Sequence, residues 1–244
     1  LYTSDGRSLI TASYDKTIRI WSAQSGQLLR TIRGQRGDGP AGRILAAALS
    51  PDDRFLAVGG WLGADAVPPR SASSPAFQIR LIDLHSGDTR RLLSSHSDVV
   101  LSLAFSHDGT RLLSGGGDDR SVLWDVATGR ALSTLHGHHE GVTGVAWSPN
   151  DTLVATSSAD KSARVYDART GQEVAQLMGH EDTVQAISFT PSGRSVLTAS
   201  LDGSVRIWDA KSGKALKILA QVGAPIASLA IAPDGVAVLV TTAG

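Results

Sequence analysis

The chain has 244 residues, 41% of them hydrophobic, no Cys, and 23 basic groups balanced by 23 acidic ones. Without Cys there is no disulfide, no Cys-ligated zinc and no thiol nucleophile. Zero net charge gives no electrostatic case for nucleic acid or an anionic membrane as partner, and no apolar run approaches the roughly 18 residues that a membrane span needs.

Taken in chain order, the sequence opens inside a pattern. Its first residues match Phe189-Thr190-Pro191-Ser192-Gly193 further on, so it reads as a stretch of something longer, with any targeting segment outside it. The first unit, residues 1–38, contains Thr11, Asp15 and Trp21, then an apolar strand over 27–32. It also contains Arg36-Gly37-Asp38, an adhesion tripeptide that reads as chance in a loop. The second unit, 39–95, is degenerate: it has Ser50-Pro51-Asp52 and Ile82-Asp83, but Val58 where other units have a hydroxyl, and no aromatic before Asp83. It carries an insertion between Gly60 and Gln78, about 14 residues longer than the matching turn elsewhere, flanked by Trp61 and Phe77 and rich in Pro, Ser and Ala. A smaller insertion, 34–42, precedes it.

Units 96–137, 138–179 and 180–220 are the strong copies. His96, His138 and His180 are each followed 22 residues later by Asp118, Asp160 and Asp202, and six residues after that by Trp124, Tyr166 and Trp208. The period is 42 residues, and a repeat of that length implies units that must stack to bury both faces. Within 138–179, residues 142–147 alternate in period two, 148–151 are a turn, and 153–157, 163–167 and 173–178 are further strands separated by tight turns. The pattern predicts an antiparallel four-stranded meander with very little helix. A last unit, 221–244, ends before any third strand.

The Gly-His pairs (Gly137-His138, Gly179-His180) and the Trp-Asp pairs (Trp124-Asp125, Trp208-Asp209) resemble the WD-repeat (WD40) β-propeller family. The resemblance covers nearly the whole chain. It implies an all-β fold, a β-propeller of four-stranded antiparallel blades, in which each repeat gives three strands of one blade and the outer strand of the next. Counted this way the chain is a single partial propeller of about five full blades with partial units at both ends, part of a seven- or eight-bladed ring.

The repeated residue types invite a nucleophilic triad: Ser114, His96 and Asp118; Thr156, His138 and Asp160; Thr198, His180 and Asp202. The alternative is a buried hydrogen-bond network in which the hydroxyl bridges the Trp N–H and the His, and the His donates to the turn Asp. Three copies of a catalytic site in one small protein are odd, while three copies of a structural staple are expected. Thr11, Asp15, Trp21, Trp124, Tyr166 and Trp208 join the same assignment, with a weaker network where Tyr166 replaces Trp. His136-Gly137-His138-His139-Glu140 has metal-ligand density, but His138 belongs to the repeat and no HExxH follows. Gly115-Gly116-Gly117 lacks the Lys and the following helix of a phosphate loop. No cofactor and no metal are expected.

Resemblance points to a partner face carrying the Gly-His loops and the turns between second and third strands. Residues before the turn Asp (Tyr14, Gly117, Ala159, Leu201) and residues three and five after each His (Val99, Leu101, Gly141, Thr143, Thr183, Gln185) would line it, with Trp61 and Phe77 as aromatic anchors or as packing for their own loop. The expected function is a non-catalytic protein–protein interaction scaffold, a docking or sensor module of a larger signalling protein. Its partners would be proteins or peptides and the rest of its own chain, with no nucleic acid and no membrane. The excess of Arg over Lys (18 against 5) fits a GC-rich, bacterial genome, and the expected compartment is the cytoplasm. The rival is an enzyme propeller, a hydrolase or lyase, with a site in the central channel. It needs unrepeated polar residues on an axial strand that offers Val142, Val145, Val184 and Ile187 instead.

Overall fold

The structure, a computed structural model, describes residues 1–33, 42–61, 77–232, 234–235 and 237–242. Arg36-Gly37-Asp38 and the interior of the long insertion lie outside the described residues, though Trp61 and Phe77 lie within them. Among the described residues every regular element is a β-strand.

Two compact units are formed, one of Leu1–Leu112 with Trp124–Ala131, the other of Leu113–Leu123 with Leu132–Gly244. In the first, β1 (Ser8–Ala12), β2 (Thr17–Ser22) and β3 (Leu28–Arg33) form a three-stranded sheet, and β4 (Arg43–Leu49), β5 (Phe55–Trp61), β6 (Ile79–Asp83) and β7 (Thr89–Leu93) a four-stranded one. The strands β8 (Val100–Phe105), β9 (Arg111–Gly116), β10 (Ser121–Asp125) and β11 (Ala131–Leu135) make the next sheet, whose residues are divided between the units. The second unit adds two four-stranded sheets. One is β12 (Val142–Trp147), β13 (Leu153–Ser158), β14 (Ser162–Asp167) and β15 (Glu173–Met178); the other is β16 (Val184–Phe189), β17 (Ser195–Ser200), β18 (Ser204–Asp209) and β19 (Ala215–Gln221). It ends in a pair, β20 (Ile226–Ile231) and β21 (Val238–Thr242).

Each sheet is an antiparallel meander in chain order, because short connections, such as 159–161 and 201–203, return the chain beside itself; only β5 and β6 are joined by a long segment, 62–78. The turn between second and third strands needs a left-handed residue just after the Asp. Lys16, Asp119, Lys161 and Gly203 fill that place at φ of 70°, 65°, 69° and 78°, a conformation that is strained for all but glycine.

Burial grades across each sheet. In the four-stranded sheets the second strands are buried on both faces: β13 reads Val154, Ala155, Thr156, Ser157 and Ser158, all buried, where period-two alternation would expose half of them. The outer strand β15 does alternate, and the outer strand β19 is exposed throughout. The reason is packing of neighbouring sheets in layers. Within the second unit Ala155, Val165 and Leu177 of one sheet share a core with Ile187, Phe189, Val196 and Trp208 of the next. In the first, Ile10 and Ile18 pack with Ile44, Leu56, Val58 and Ile82. Each such fully buried aliphatic side chain stabilises by about 1.5–3 kcal/mol relative to exposure.

Close packing also explains the glycine run. A Cβ on Gly115 of β9 would lie 2.6 Å from Val142 Cγ1 and 3.0 Å from Val145 Cγ1 of β12. The glycine lets the neighbouring sheet approach, so Gly115 is a contact point for apolar side chains.

Candidate functional site

A buried polar cluster is built in the fifth unit from the loop before β16, strand β17, the turn into β18 and β18 itself. His180 Nδ1 lies 2.8 Å from Asp202 Oδ2 and His180 Nε2 lies 2.7 Å from Thr198 Oγ1. Trp208 Nε1 donates to the same Thr198 oxygen at 2.8 Å, and the imidazole and indole rings are tilted 56° with centroids 6.0 Å apart. A carboxylate can only accept, so Nδ1–H must be the donor to Asp202, and Nε2 of the neutral ring accepts from the Thr198 hydroxyl. The donors thus run in one direction: indole to hydroxyl, hydroxyl to imidazole, imidazole to carboxylate.

Asp202 collects more than the His. Ser204 Oγ donates to Asp202 Oδ1 at 2.6 Å, Ser204 N at 2.8 Å, and Glu181 N to Oδ2 at 3.0 Å. Burial, the largest single influence, pushes the carboxyl up. The donors Ser204, Glu181 N–H and His180 together outweigh it and hold the group well below the ordinary carboxylate range. Burial likewise pushes His180 below its ordinary value, against the opposing pull of Asp202. The cluster therefore rests in its neutral-imidazole, ionised-carboxylate form.

The fourth unit repeats the arrangement. His138 reaches Asp160 Oδ2 at 2.9 Å and Thr156 Oγ1 at 2.8 Å, and Ser162 Oγ donates to Asp160 Oδ1 at 2.6 Å. For Asp160, burial again raises the carboxyl and is outweighed by hydrogen bonds from His138 and Ser162. Tyr166, in the Trp208 position, donates its hydroxyl to the His136 carbonyl at 3.1 Å, and burial pushes its phenol up to about 12. The longer phenol ties the aromatic to the loop before β12, so the Tyr stitches loop to sheet by a different bond from the indole.

The third unit is a variant. His96, Ser114 and Trp124 are all buried. Two residues past the turn Asp stands Arg120 where the fourth and fifth units have Ser162 and Ser204, and its Nη2 lies 3.0 Å from Asp118 Oδ2. In the first unit Trp21 Nε1 donates to Thr11 Oγ1 at 2.9 Å, while the exposed Asp15 takes the Thr17 hydroxyl at 2.6 Å and Arg19 Nη2 at 2.9 Å.

The hydroxyls two residues after the Asp, and those two residues before it (Ser158, Ser200), escaped the sequence reading because Ser in a turn reads as a turn former. The signal was present: Ser-x-Asp-x-Ser at 158–162 and 200–204. Ser200 Oγ donates to the Asp182 carbonyl at 2.9 Å and Ser158 Oγ to the Glu140 carbonyl at 2.8 Å, tying each loop to its turn. The Asp that ends each third strand has a separate task. Asp167 and Asp209 accept from Thr170 N and Ser212 N, each at 2.8 Å, and so cap the next turn.

Of the surface positions, Tyr14 is 64% exposed and Trp61 40%. Val99, Leu101, Thr143, Thr183, Gln185, Leu201 and Phe77 are half-buried. Thr143 already donates to the Val184 carbonyl, so its hydroxyl is occupied. Trp61 and Phe77 pack on each other with ring centroids 6.1 Å apart at 59°.

A family model described as WD domain, G-beta repeat, matches residues 1–22, 87–125, 129–167 and 171–209, more than half of the chain. The chain belongs to the WD40 family. Its matched repeat 129–167 takes in β11 of one sheet and β12–β14 of the following one, so the outer strand it carries belongs to the preceding sheet rather than the next. This WD40 chain is 31% identical over 120 residues to target of rapamycin complex subunit LST8-1 of Arabidopsis thaliana, covering 48% of the chain and 33% of that protein. It is 30% identical over 125 residues to target of rapamycin complex subunit LST8 of Mus musculus (50% and 32%), and 29% identical over 133 residues to WD repeat-containing protein 18 of Danio rerio (51% and 27%). The chain spans about a third of the length of these curated relatives.

Proposed function

We propose that this WD40 chain is a non-catalytic scaffold that presents a rigid surface to protein or peptide partners. The observation that carries the reading is the fate of its triad-like residues. Thr198 Oγ1, the nucleophile of the triad reading in the fifth unit, is buried and accepts the Trp208 N–H. A nucleophile needs that lone pair free and an approach path for a carbonyl. The His, Thr and Asp of this set recur in the fourth unit around Thr156, equally buried, with Tyr166 donating to the His136 carbonyl in place of the indole bond. Repetition of a spent hydrogen-bond set supports a staple that stiffens loops, and stiff loops are what a docking surface requires. Relatives named as subunits of target of rapamycin complexes support protein surfaces as the partner class.

Two surfaces are proposed for docking, each described within its own compact unit: in the first, that bearing Tyr14, Val99 and Leu101, and in the second, that bearing Thr183, Gln185 and Leu201. These side chains are apolar or uncharged, which suits a protein partner better than a phosphate backbone. The test is affinity purification with the 244-residue chain, comparing Tyr14→Glu with Leu101→Glu, and Gln185→Glu with Leu201→Glu, against the outer-strand controls Leu132→Glu and Leu216→Glu. Partners recovered by the wild type should be lost from the first two variants and kept by the controls. Loss from the controls alone would refute the assignment of the surface. An esterase activity abolished by Thr198→Val in a folded protein would favour the hydrolase reading.

A further inference from the structure

Arg90, on the outer strand of the degenerate unit, stands where the other units have an apolar residue. Thr89 lies opposite Ile82 as Leu28 lies opposite Trp21, Glu173 opposite Tyr166 and Ala215 opposite Trp208. The place of Arg90 is therefore held by Leu29, Val174 and Leu216, and by the repeat period Leu132. Arg90 Nε and Nη2 lie 3.3 and 3.4 Å from Oδ2 of the buried Asp83. Arg54 Nε reaches the same oxygen at 3.8 Å, and its guanidinium lies over the Phe55 ring, 4.8 Å from the centroid. One carboxylate offsets one guanidinium, so the second positive charge is surplus.

Both side chains, with Arg91, line a cavity of about 680 Å³ whose lining residues all belong to the first compact unit. That volume lies in the range of ligand clefts, about 300–1,000 Å³. Phe55, Leu81 and Val126 give the cavity an apolar part, and the exposed Thr110 and Ala127 also line it. Asp125, the carboxylate among the lining residues, is already engaged. Its Oδ1 accepts Thr128 N and Thr128 Oγ1, each at 2.6 Å, and Arg91 is the cation beside it. Arg91 with Asp125, and Asp83 with one of its two arginines, cancel in charge. One positive charge is left on a concave, partly apolar surface. Among the described residues the Nη atoms of Arg54 and Nη1 of Arg90 have no hydrogen-bond partner. The two side chains are 60% and 55% exposed, so an anion entering the cavity meets those donors directly.

We propose that this cavity docks a segment of a partner protein in which one carboxylate side chain is flanked by apolar residues, the carboxylate taken by Arg54 and Arg90 and the apolar neighbours packed on Phe55 and Val126. A single surplus charge matches a carboxylate, whereas a phosphate monoester carries about −1.5 to −2 and would stay partly unanswered. A protein as the source of the carboxylate rests on the reading of the chain as a protein-binding scaffold; the recognition chemistry does not. The cavity is separate from the docking surfaces proposed above, since Tyr14, Val99 and Leu101 do not line it.

The probe is the peptide Gly-Ser-Leu-Glu-Phe-Ser-Gly with both ends blocked, so that Glu supplies its only charge, titrated into the isotope-labelled 244-residue chain by NMR. It should shift the amides of Gly109, Thr110 and Ala127 with a Kd below about 1 mM. Gln in place of the peptide's Glu, and Arg54→Gln or Ala127→Glu in the protein, should each weaken binding about tenfold or more. Arg7→Gln should leave it unchanged: Arg7 is exposed, and its carbonyl accepts Ala23 N as that of Arg54 accepts Leu84 N. Equal affinity for the Glu and Gln peptides, no shift at those amides up to about 1 mM, or wild-type binding by Arg54→Gln would each overturn the proposal. So would tighter binding of a phosphoserine peptide, which would assign the cavity to phosphate, or equal binding of phenylacetate, which would assign it to a small organic acid. The Gln-peptide and Ala127→Glu arms stand if Arg54→Gln fails to fold. The Tyr14→Glu, Leu101→Glu variant should bind the peptide as the wild type does, so failure of the docking surfaces and failure of the cavity read out separately.

Discussion

Replacing His180 with Ala removes a side chain that is wholly buried and bonded at both ring nitrogens. The bond to Asp202 is charge-assisted, and hydrogen bonds of that kind contribute about 1.5–3 kcal/mol. Asp202 is not orphaned, because Ser204 Oγ, Ser204 N and Glu181 N still donate to it. Thr198 keeps the Trp208 donor but loses the acceptor for its own proton. Adding the cavity left by the imidazole, the expected loss is about 2–4 kcal/mol, which lowers Tm by about 5–15 °C in a chain of this size. The assay is a thermal melt beside His85→Ala, whose exposed side chain should change stability by less than about 0.5 kcal/mol. Equal melts for the two variants would refute the structural role of the network.

The remaining predictions test charge, packing and backbone. His180 is pushed below its ordinary 6.5 by burial, so the unfolded chain takes up a proton that the native state resists. Stability from this group is full above pH 6.5 and is lost as pH falls from there toward the folded value, and melts across that window should show the loss shrinking in His180→Ala. Asp160 and Asp202 are held below 3.8, so their contribution is present above that pH and is lost as pH falls through 3.8 toward the folded values; a melting temperature flat across that range would contradict it. Gly115→Ala sets a methyl 2.6 Å from Val142 Cγ1 and should cost about 1–3 kcal/mol in a denaturant titration. The cost should shrink in a Val142→Ala background, and strict additivity of the two changes would count against the close approach. Lys161, at φ 69° where the next unit has Gly203, is strained, and Lys161→Gly should stabilise by up to about 1 kcal/mol. A destabilised variant would show that the Lys side chain contributes more than its backbone costs.

The 42-residue period determined much of this protein without any structure. Period-two runs such as 142–147, bounded by turn residues, specify strands, and four per unit specify an antiparallel meander, because both are local properties of the chain. The recurrence of His180, Thr198, Asp202 and Trp208 at constant spacing marked them as a set for the same reason. Spacing does not say which atoms meet. That Tyr166 bonds the His136 carbonyl, that Arg120 stands in for the Ser204 hydroxyl, and that Gly115 is small for the sake of Val142 depend on register and on how adjacent sheets pack. Arg80 is the sharpest case. In sequence it is one of four arginines at equivalent positions, set apart only by Ala76 where the other three have an Asp four residues earlier. Only the tertiary structure decides that three meet a carboxylate while Arg80 leaves two buried donors unpartnered among the described residues. A charge is read from composition, but whether it is answered is a property of what folding brings beside it.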